Sequence, residues 1–222
     1  HHHHHHNHYH HHHHNHQHCN HDDQNADNDN DASPPQYYGQ SFDWSHGTHC
    51  AGLATAETNN SNGIASIGGN SQLIAVKATG DNQNARFTYY GYAGVQWACE
   101  NGANVVSMSY GSENSSNSMQ ELINAYPEVV FLAAAGNDGG PDDDGDVAHP
   151  SSERLVISVG GTTQTGEHWS GSSTGDNNGN LFPLIHPRSD PHQKPEIVAP
   201  AESVPVINNP GTWQIVDGTS AA

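Results

Sequence analysis

The sequence is poor in basic residues and has no long apolar run. Among its 222 residues only 5 are Lys or Arg, against 24 Asp or Glu, so the formal net charge at pH 7 is −19. Such a surface cannot neutralise phosphates, which argues against binding to nucleic acid or to an anionic membrane. Because no stretch of about eighteen apolar residues occurs, a membrane-spanning helix is not expected either.

Cysteine is also scarce, with Cys19, Cys50 and Cys99 as its only positions. An odd number leaves at least one thiol unpaired within the chain, so the cysteines do not form a disulfide framework. Few Lys and many Asp, Asn, Gly and Ser are typical of a secreted or salt-tolerant surface. We therefore expect an extracellular protein. We also expect it to act as a monomer.

The first part of the chain differs in composition from the rest. Fifteen of the 21 histidines lie in residues 1–21, and an Asp- and Asn-rich stretch follows them. Such low-complexity sequence cannot build an apolar core and resembles a purification tag that has been extended. We expect residues 1–36 to be a separate His/Asp/Asn-rich segment and residues 37–222 to be one domain.

From residue 37 onward, apolar stretches of strand length alternate with stretches of helical periodicity. The pattern predicts helices over 46–56, 88–102 and 118–127, and strands over 71–78, 103–111, 128–140 and 154–162. Continuous apolar strands separated by helices indicate an α/β fold of three layers. Its central sheet is mostly parallel and has helices on both faces.

Polar residues follow the ends of the predicted strands, at Ser109, Asn137 and Thr162. Because ligands bind beyond the carboxyl ends of parallel strands, these residues are expected at one functional edge of the sheet.

Three short motifs contain the residues with possible chemistry: "SHGTHCAG" (45–52), "AAAGND" (133–138) and "DGTSAA" (217–222). From the residues alone, His46 and His49 could be metal ligands, general bases or partners of the Cys50 thiol. The small neighbours of Ser220 would let a carbonyl group approach that hydroxyl. The Asn137 amide could donate a hydrogen bond to a developing oxyanion.

In this order, the three motifs resemble those of the subtilisin-like serine proteases (subtilases, peptidase family S8). The segments "LIAVKA", "NVVSMSYG", "HPSSERLVISVGGT" and "KPEIVAPAESV" also resemble family segments, and the resemblance covers residues 37–222. It implies the subtilisin-like fold and a serine endopeptidase that forms an acyl-enzyme. The family continues past its serine into a buried helix, so we expect a domain truncated at its C-terminal end.

The resemblance implies a role for each matching residue. His46 would be the general base and acid, Ser220 the nucleophile, and Asn137 an oxyanion donor together with the Ser220 backbone N–H. Extended polypeptide substrate would lie against two further segments, which contribute Ser109, Tyr110, Gly111, Ala133, Ala134 and Gly136.

The other two candidates in the first motif receive structural interpretations. His49 is expected to be a packed histidine one helical turn after His46, since no third ligand completes a metal site. Cys50 resembles the cysteine beside the catalytic histidine in the proteinase K branch of the family. We expect it to be a buried, inert thiol.

The catalytic triad of the family also contains an acidic residue, the triad acid, and the resemblance does not supply it. Counting by the family spacing from "HDDQ" (21–24) reaches His14, inside a histidine tract that would make a poor buried strand. Three explanations remain open: a protease that lost its acid, a sequence not genuine at these positions, or substitution by Asp22 or Asp43. The alternative to a protease is therefore an impaired pseudoprotease or a His-rich metal-binding or scaffold protein.

No catalytic cofactor is implied, but structural calcium is. The loop "NNSNGIA" (59–65) resembles a family loop that binds calcium through oxygen ligands. The resemblance assigns Asn60 and Asp23 as ligands. A solvated Asn-rich turn is the alternative interpretation.

Overall fold

The computed structural model describes residues 42–114, 116–140, 147–175, 194–208 and 212–222, with the main chain alone for 42–44. The expectations for residues 1–36, including those for His14, Asp22 and Asp23, lie outside the described residues. The elements that the described residues form are α1 (Phe42–Thr55), α2 (Gly91–Glu100), β1 (Val105–Met108), α3 (Asn117–Ala125), β2 (Val130–Ala134), β3 (Val156–Thr162), β4 (Ile197–Pro200), β5 (Val204–Ile207) and β6 (Trp213–Val216).

Strands β1 to β4 form a parallel sheet in chain order. Val106 pairs with Phe131, Ala133 with Ser158, and Gly161 with Ala199. This parallel order confirms the sheet predicted from the continuous apolar strands. It also places the residues that follow β1, β2 and β3 at one edge of the sheet.

Helices α2 and α3 cover the sheet through a shared apolar core. Buried side chains from both helices, among them Val95 and Ile123, pack with Met108 and Phe131 of the sheet. The Ser116 side chain caps α3 by accepting a hydrogen bond from the Met119 N–H at 3.4 Å. These contacts confirm the predicted second and third helices and hold them against the sheet, whose strands β1 and β2 are followed by Ser109 and Asn137.

The segment 71–78, predicted as a strand, is not a strand in the structure. Its apolar side chains pack locally: Val76 lies close enough to Gly94 of α2 that a Cβ there would be 2.7 Å from Val76 Cγ1. Leu73 and Ile74, in contrast, are 39% exposed. An apolar run becomes a strand only when a neighbouring strand accepts its hydrogen bonds, and the described residues provide none here.

A second sheet, which the pattern did not predict, consists of β5 and β6 as an antiparallel pair. Helix α1 packs against β5, and the residues that follow β6 lead directly to Ser220. This hairpin therefore connects the helix of the first motif to the turn of the third. None of the described helices is both long and apolar enough to cross a membrane.

Candidate active site

Helix α1 brings Cys50 into contact with the segment that contains Ser220, and His46 lies beside Cys50 on the same helix. The two side chains are four residues apart, so they lie on one face of the helix. Cys50 Sγ is 3.9 Å from His46 Nε2, and it donates a hydrogen bond to the Ser220 carbonyl oxygen at 3.4 Å. The first and third motifs are therefore in contact, although they are about 170 residues apart in sequence.

The end of β1 holds the same carbonyl group from a second direction. Ser109, the residue after β1, donates its hydroxyl hydrogen to the Ser220 carbonyl oxygen at 3.0 Å. One carbonyl oxygen thus accepts hydrogen bonds from both Cys50 and Ser109. These bonds fix the peptide group between Ser220 and Ala221. Ser220 itself is half-buried and lies in a turn.

The turn after β2 places Asn137 beside Ser220. Asn137 Oδ1 accepts hydrogen bonds from the Thr219 N–H at 2.9 Å and from the Thr219 hydroxyl at 3.0 Å. A Cβ atom placed on Gly218 would lie 3.2 Å from Ser220 Oγ and 3.8 Å from Asn137 Nδ2. The absence of a side chain at Gly218 therefore leaves a small space that the hydroxyl and the amide both border.

Two of the predicted substrate residues contact this turn: Ser109 bonds to the Ser220 carbonyl oxygen, and Gly136 bonds to the Thr219 hydroxyl. Gly111 is exposed at the end of the "SYG" segment, and the next residue, Ser112, forms an antiparallel bridge with His149. A residue larger than glycine would not fit at position 111, because its Cβ would be only 2.7 Å from Ala148 Cβ. Of the other predicted residues, Ala133 is buried in the apolar core of the sheet, Ala134 is half-buried at the end of β2, and Gly136 follows with a left-handed φ of 118°.

His49 is buried, as predicted, and contacts the hairpin rather than the site. Its Nε2 lies 3.3 Å from Asn208 Oδ1 and 3.1 Å from Gln214 Nε2. Burial lowers the pKa of the imidazole, with a further lowering from His46 and an opposing effect of the Asn208 hydrogen bond. No group of three potential metal ligands occurs in the described part of the chain. The site of His49 is that of a packed, neutral histidine.

Cys50 has the properties of a thiol rather than a thiolate. Burial raises its pKa, and the hydrogen bond with Ser109 opposes this effect only in part. Neither Cys50 nor Cys99 forms a disulfide with another described residue. The prediction of an unreactive thiol agrees with this environment, while the resemblance to the proteinase K branch stays a prediction.

The remaining predicted site residues do not reach this cluster within the described residues. Asn60 lies in an exposed turn, where its Oδ1 accepts a hydrogen bond from the Asn62 N–H at 2.9 Å. The structure describes only the main chain of Asp43, and Asp23, Asp22 and His14 lie outside the described residues. The identity of the triad acid therefore stays a prediction.

Two residues that sequence reasoning missed contact Asn137 and its turn. Thr219 lies beside the proposed nucleophile, and its place in the motif "DGTSAA" could have singled it out. Ser173 comes from a Ser- and Gly-rich stretch that carries no signal of its own. It bonds to the main chain on both sides of Asn137.

Comparison with known proteins gives matches to one family. A model of the Subtilase family matches residues 3–222. Subtilisin DY of Bacillus licheniformis is 30% identical over 180 residues, which cover 80% of this chain and 58% of subtilisin DY. A thermophilic serine proteinase of Bacillus sp. (strain AK1) is 35% identical over 122 residues, or 54% of this chain and 29% of the proteinase. The chain thus spans little more than half the length of subtilisin DY.

Two solved structures share the fold. The prenylagaramide maturation protease PagA has a TM-score of 0.61 at 22% identity and covers 80% of this chain, which spans 59% of PagA. A mutant of the protease domain of PatA has a TM-score of 0.62 at 20% identity. The match covers 80% of this chain and 60% of the PatA domain. The shared architecture confirms the predicted three-layer α/β class. Together with the family match over residues 3–222, it leads to one conclusion: the chain belongs to the subtilase family.

Proposed function

We propose that the protein is a serine endopeptidase that cleaves polypeptides through an acyl-enzyme. The observation that carries the proposal is the turn 218–220. Its Ser220 carbonyl bonds to Cys50, the neighbour of His46 on α1, and its Thr219 bonds to Asn137. These contacts support the proposed assignment of a nucleophile, a base and an oxyanion donor to Ser220, His46 and Asn137.

In the proposed reaction, His46 removes the proton from Ser220 Oγ as the oxygen attacks the scissile carbonyl carbon. The tetrahedral intermediate places its negative charge on the former carbonyl oxygen, to which Asn137 Nδ2 and the Ser220 N–H donate. His46 then transfers its proton to the leaving amine, which yields the acyl-enzyme. Water, deprotonated by His46, hydrolyses the ester and regenerates the serine. The steps use side chains and water, with no cofactor.

The proposed substrate is an extended polypeptide bound between two chain segments. The "SYG" segment, Ser109 to Gly111, would pair with the substrate main chain as an added strand. Residues Ala133 to Gly136 would form the opposite wall, where small side chains leave room for a substrate side chain. An acidic chain with few cations provides no support for nucleic acid as a competing substrate.

The triad acid is proposed to come from the part of the chain before His46, where the family spacing reaches His14 and where Asp22 or, less favourably, Asp43 offers a carboxylate. The alternatives of an impaired pseudoprotease or a His-rich metal-binding protein gain no support from the relatives, which are named as proteinases and subtilisins. Peptide mass spectrometry of residues 1–21 would show whether the histidine tract is present in the isolated protein.

Structural calcium and an extracellular location are two further proposals. Asn60 lies in a turn with three left-handed residues, Asn59, Ser61 and Gly63, and its amide oxygen suits a hard cation. Asn60 and Asp23 would hold the ion. A rise in the thermal midpoint with CaCl₂ but not with MgCl₂, abolished by Asn60→Ala, is the expected result. An equal thermal midpoint with and without calcium would contradict this proposal.

The acidic, lysine-poor composition supports the proposed extracellular location.

A fluorophosphonate probe tests the proposed activity directly. The probe reacts only with an activated serine, so we expect labelling of Ser220, identified by peptide mass spectrometry. Ser220→Ala is the matched control for the site, and His46→Ala should abolish labelling because the base is removed. Labelling that persists in His46→Ala, or a native protein that is never labelled, would contradict the proposal.

A further inference from the structure

Ser173 bonds to the main chain on both sides of Asn137. Its N–H donates to the Gly136 carbonyl oxygen at 3.0 Å, and its hydroxyl accepts a hydrogen bond from the Asp138 N–H at 3.2 Å. Ser173 is fully buried. A single residue, 36 positions later in the chain, therefore fixes the peptide groups that precede and follow Asn137.

The packing between these two segments is tight. A Cβ placed on Gly136 would be only 2.7 Å from Ser173 Oγ, and one on Gly139 would be 2.2 Å from the Ser172 carbonyl oxygen. Gly139 also donates its N–H to the Gly171 carbonyl oxygen at 3.2 Å. The turn that carries Asn137 thus rests directly on the segment 171–173, without intervening side chains.

Asn137 is consequently held from two directions. Thr219 bonds to the side-chain oxygen of Asn137, whereas Ser173 bonds to the flanking main chain. Thr219 sets the orientation of the Asn137 side-chain amide. Ser173 sets the position of the main chain from which that side chain extends. An oxyanion donor contributes to catalysis only when it is preorganised at the place where charge develops. A small displacement of the main chain would therefore reduce the rate.

We propose that Ser173 is a positioning residue, whose hydroxyl holds the Gly136–Asp138 turn so that the Asn137 amide is in place for the oxyanion. The proposal rests on the proposed function, because it requires Asn137 to act in the transition state. It predicts an effect on kcat rather than on KM, since the oxyanion exists only in the transition state.

The first test compares Ser173→Ala and Ser173→Cys with the wild type in steady-state hydrolysis of a chromogenic peptide amide. We expect kcat to fall about tenfold in Ser173→Ala, equivalent to about 1.4 kcal/mol, with KM changed by less than about twofold. Ser173→Cys retains a weak acceptor and should give an intermediate kcat. Ser66→Ala, which removes another buried hydroxyl whose partner among the described residues is the Ala56 carbonyl oxygen, should leave kcat unchanged.

A double-mutant cycle separates positioning from general damage. If Ser173 acts through Asn137, Ser173→Ala should have almost no further effect on kcat in an Asn137→Ala background. An equal loss of kcat in both backgrounds would overturn the proposal, as would a change confined to KM.

A readout that needs no turnover distinguishes failure of the proposal from failure of the proposed function. The Thr219 N–H is bonded to Asn137 Oδ1, so its hydrogen exchange reports whether Asn137 stays in place. Faster exchange in Ser173→Ala than in Ser66→Ala supports the positioning role even in a protein that hydrolyses nothing. Unchanged exchange at Thr219 overturns the role, whatever the activity.

Discussion

The main-chain N–H of Thr219 donates a hydrogen bond to Oδ1 of Asn137 at 2.9 Å. Because Oδ1 is engaged by the residue before Ser220, the amide nitrogen is the part of Asn137 that can donate to a bound substrate. The same turn therefore carries the proposed nucleophile and orients the proposed oxyanion donor. Any movement of this turn would change both groups together.

Substitution of Asn137 tests this relationship. Asn137→Ala removes the donor and should lower kcat about 10²- to 10³-fold, the range known for the oxyanion-hole asparagine of subtilisin. KM should change little, since the substrate carbonyl in the ground state carries little charge. Steady-state kinetics on a peptide amide provides the measurement.

Asn137→Asp is the informative companion. An aspartate can still accept the Thr219 N–H, but its ionised side chain has no hydrogen to donate and would repel an oxyanion. We expect activity as low as in Asn137→Ala or lower. Near-normal turnover in Asn137→Asp would show that the Asn137 amide does not act as a donor.

The elements that the sequence predicts well are those whose stability is local or whose strands are apolar throughout. Helix α3 has an N-cap in Ser116 and an apolar face, and β3 is buried along almost its whole length. Strand β5 was not predicted because it has only four residues and includes Pro205, which argues against a strand. The segment 71–78 was predicted wrongly because an apolar pattern does not specify a hydrogen-bonding partner.

The candidate site divides in the same way. His46, Asn137 and Ser220 lie in motifs whose order is informative, so the resemblance predicts them as candidate site residues. Ser173 could not be found because its contacts to Gly136 and Asp138 are hydrogen bonds to the main chain. Such contacts depend on how two distant segments pack and leave no pattern in residue types.

Lys194 gives a prediction about stability. Its ammonium group is buried, pairs with Glu196 Oε1 at 3.0 Å and donates to the carbonyl oxygens of Glu153 and Val156. Lys194→Met would leave these acceptors buried without their donor, so the free energy of unfolding should fall by about 3 kcal/mol. Urea denaturation followed by circular dichroism provides the measurement.

Exposed Arg154 is the matched control for this change. Arg154→Met removes a positive charge from the surface and should alter the free energy of unfolding by less than about 0.5 kcal/mol. If both variants lose the same amount, the effect would come from net charge, and the buried contacts of Lys194 would not be its cause.

Alanine substitutions at Gly136 and Gly102 distinguish the cost of backbone strain from the cost of a packing clash. Both have a left-handed φ, 118° and 86° respectively. A Cβ on Gly102 would meet nothing within 4 Å, whereas one on Gly136 would meet Ser173 Oγ at 2.7 Å. Gly102→Ala should cost about 1 kcal/mol of unfolding free energy from backbone strain alone. Gly136→Ala should cost more and should also lower kcat, because the turn of Asn137 must move. Equal costs and unchanged kcat would contradict the packing argument.

Tyr110 predicts a dependence of stability on alkaline pH. Burial raises the pKa of its phenol to about 12, and the hydroxyl would lie 3.2 Å from a Cβ on Gly91. The folded protein therefore keeps this proton in a pH range where the unfolded chain, with an ordinary tyrosine pKa near 10, releases it. The stabilisation is fully present below pH 10 and is lost as the pH rises from about 10 to 12. Tyr110→Phe should make the free energy of unfolding less steep over this interval. Absorbance titration at 295 nm should show a late-titrating phase that is smaller by one tyrosine in the variant; a titration curve unchanged in its late phase would refute the assignment.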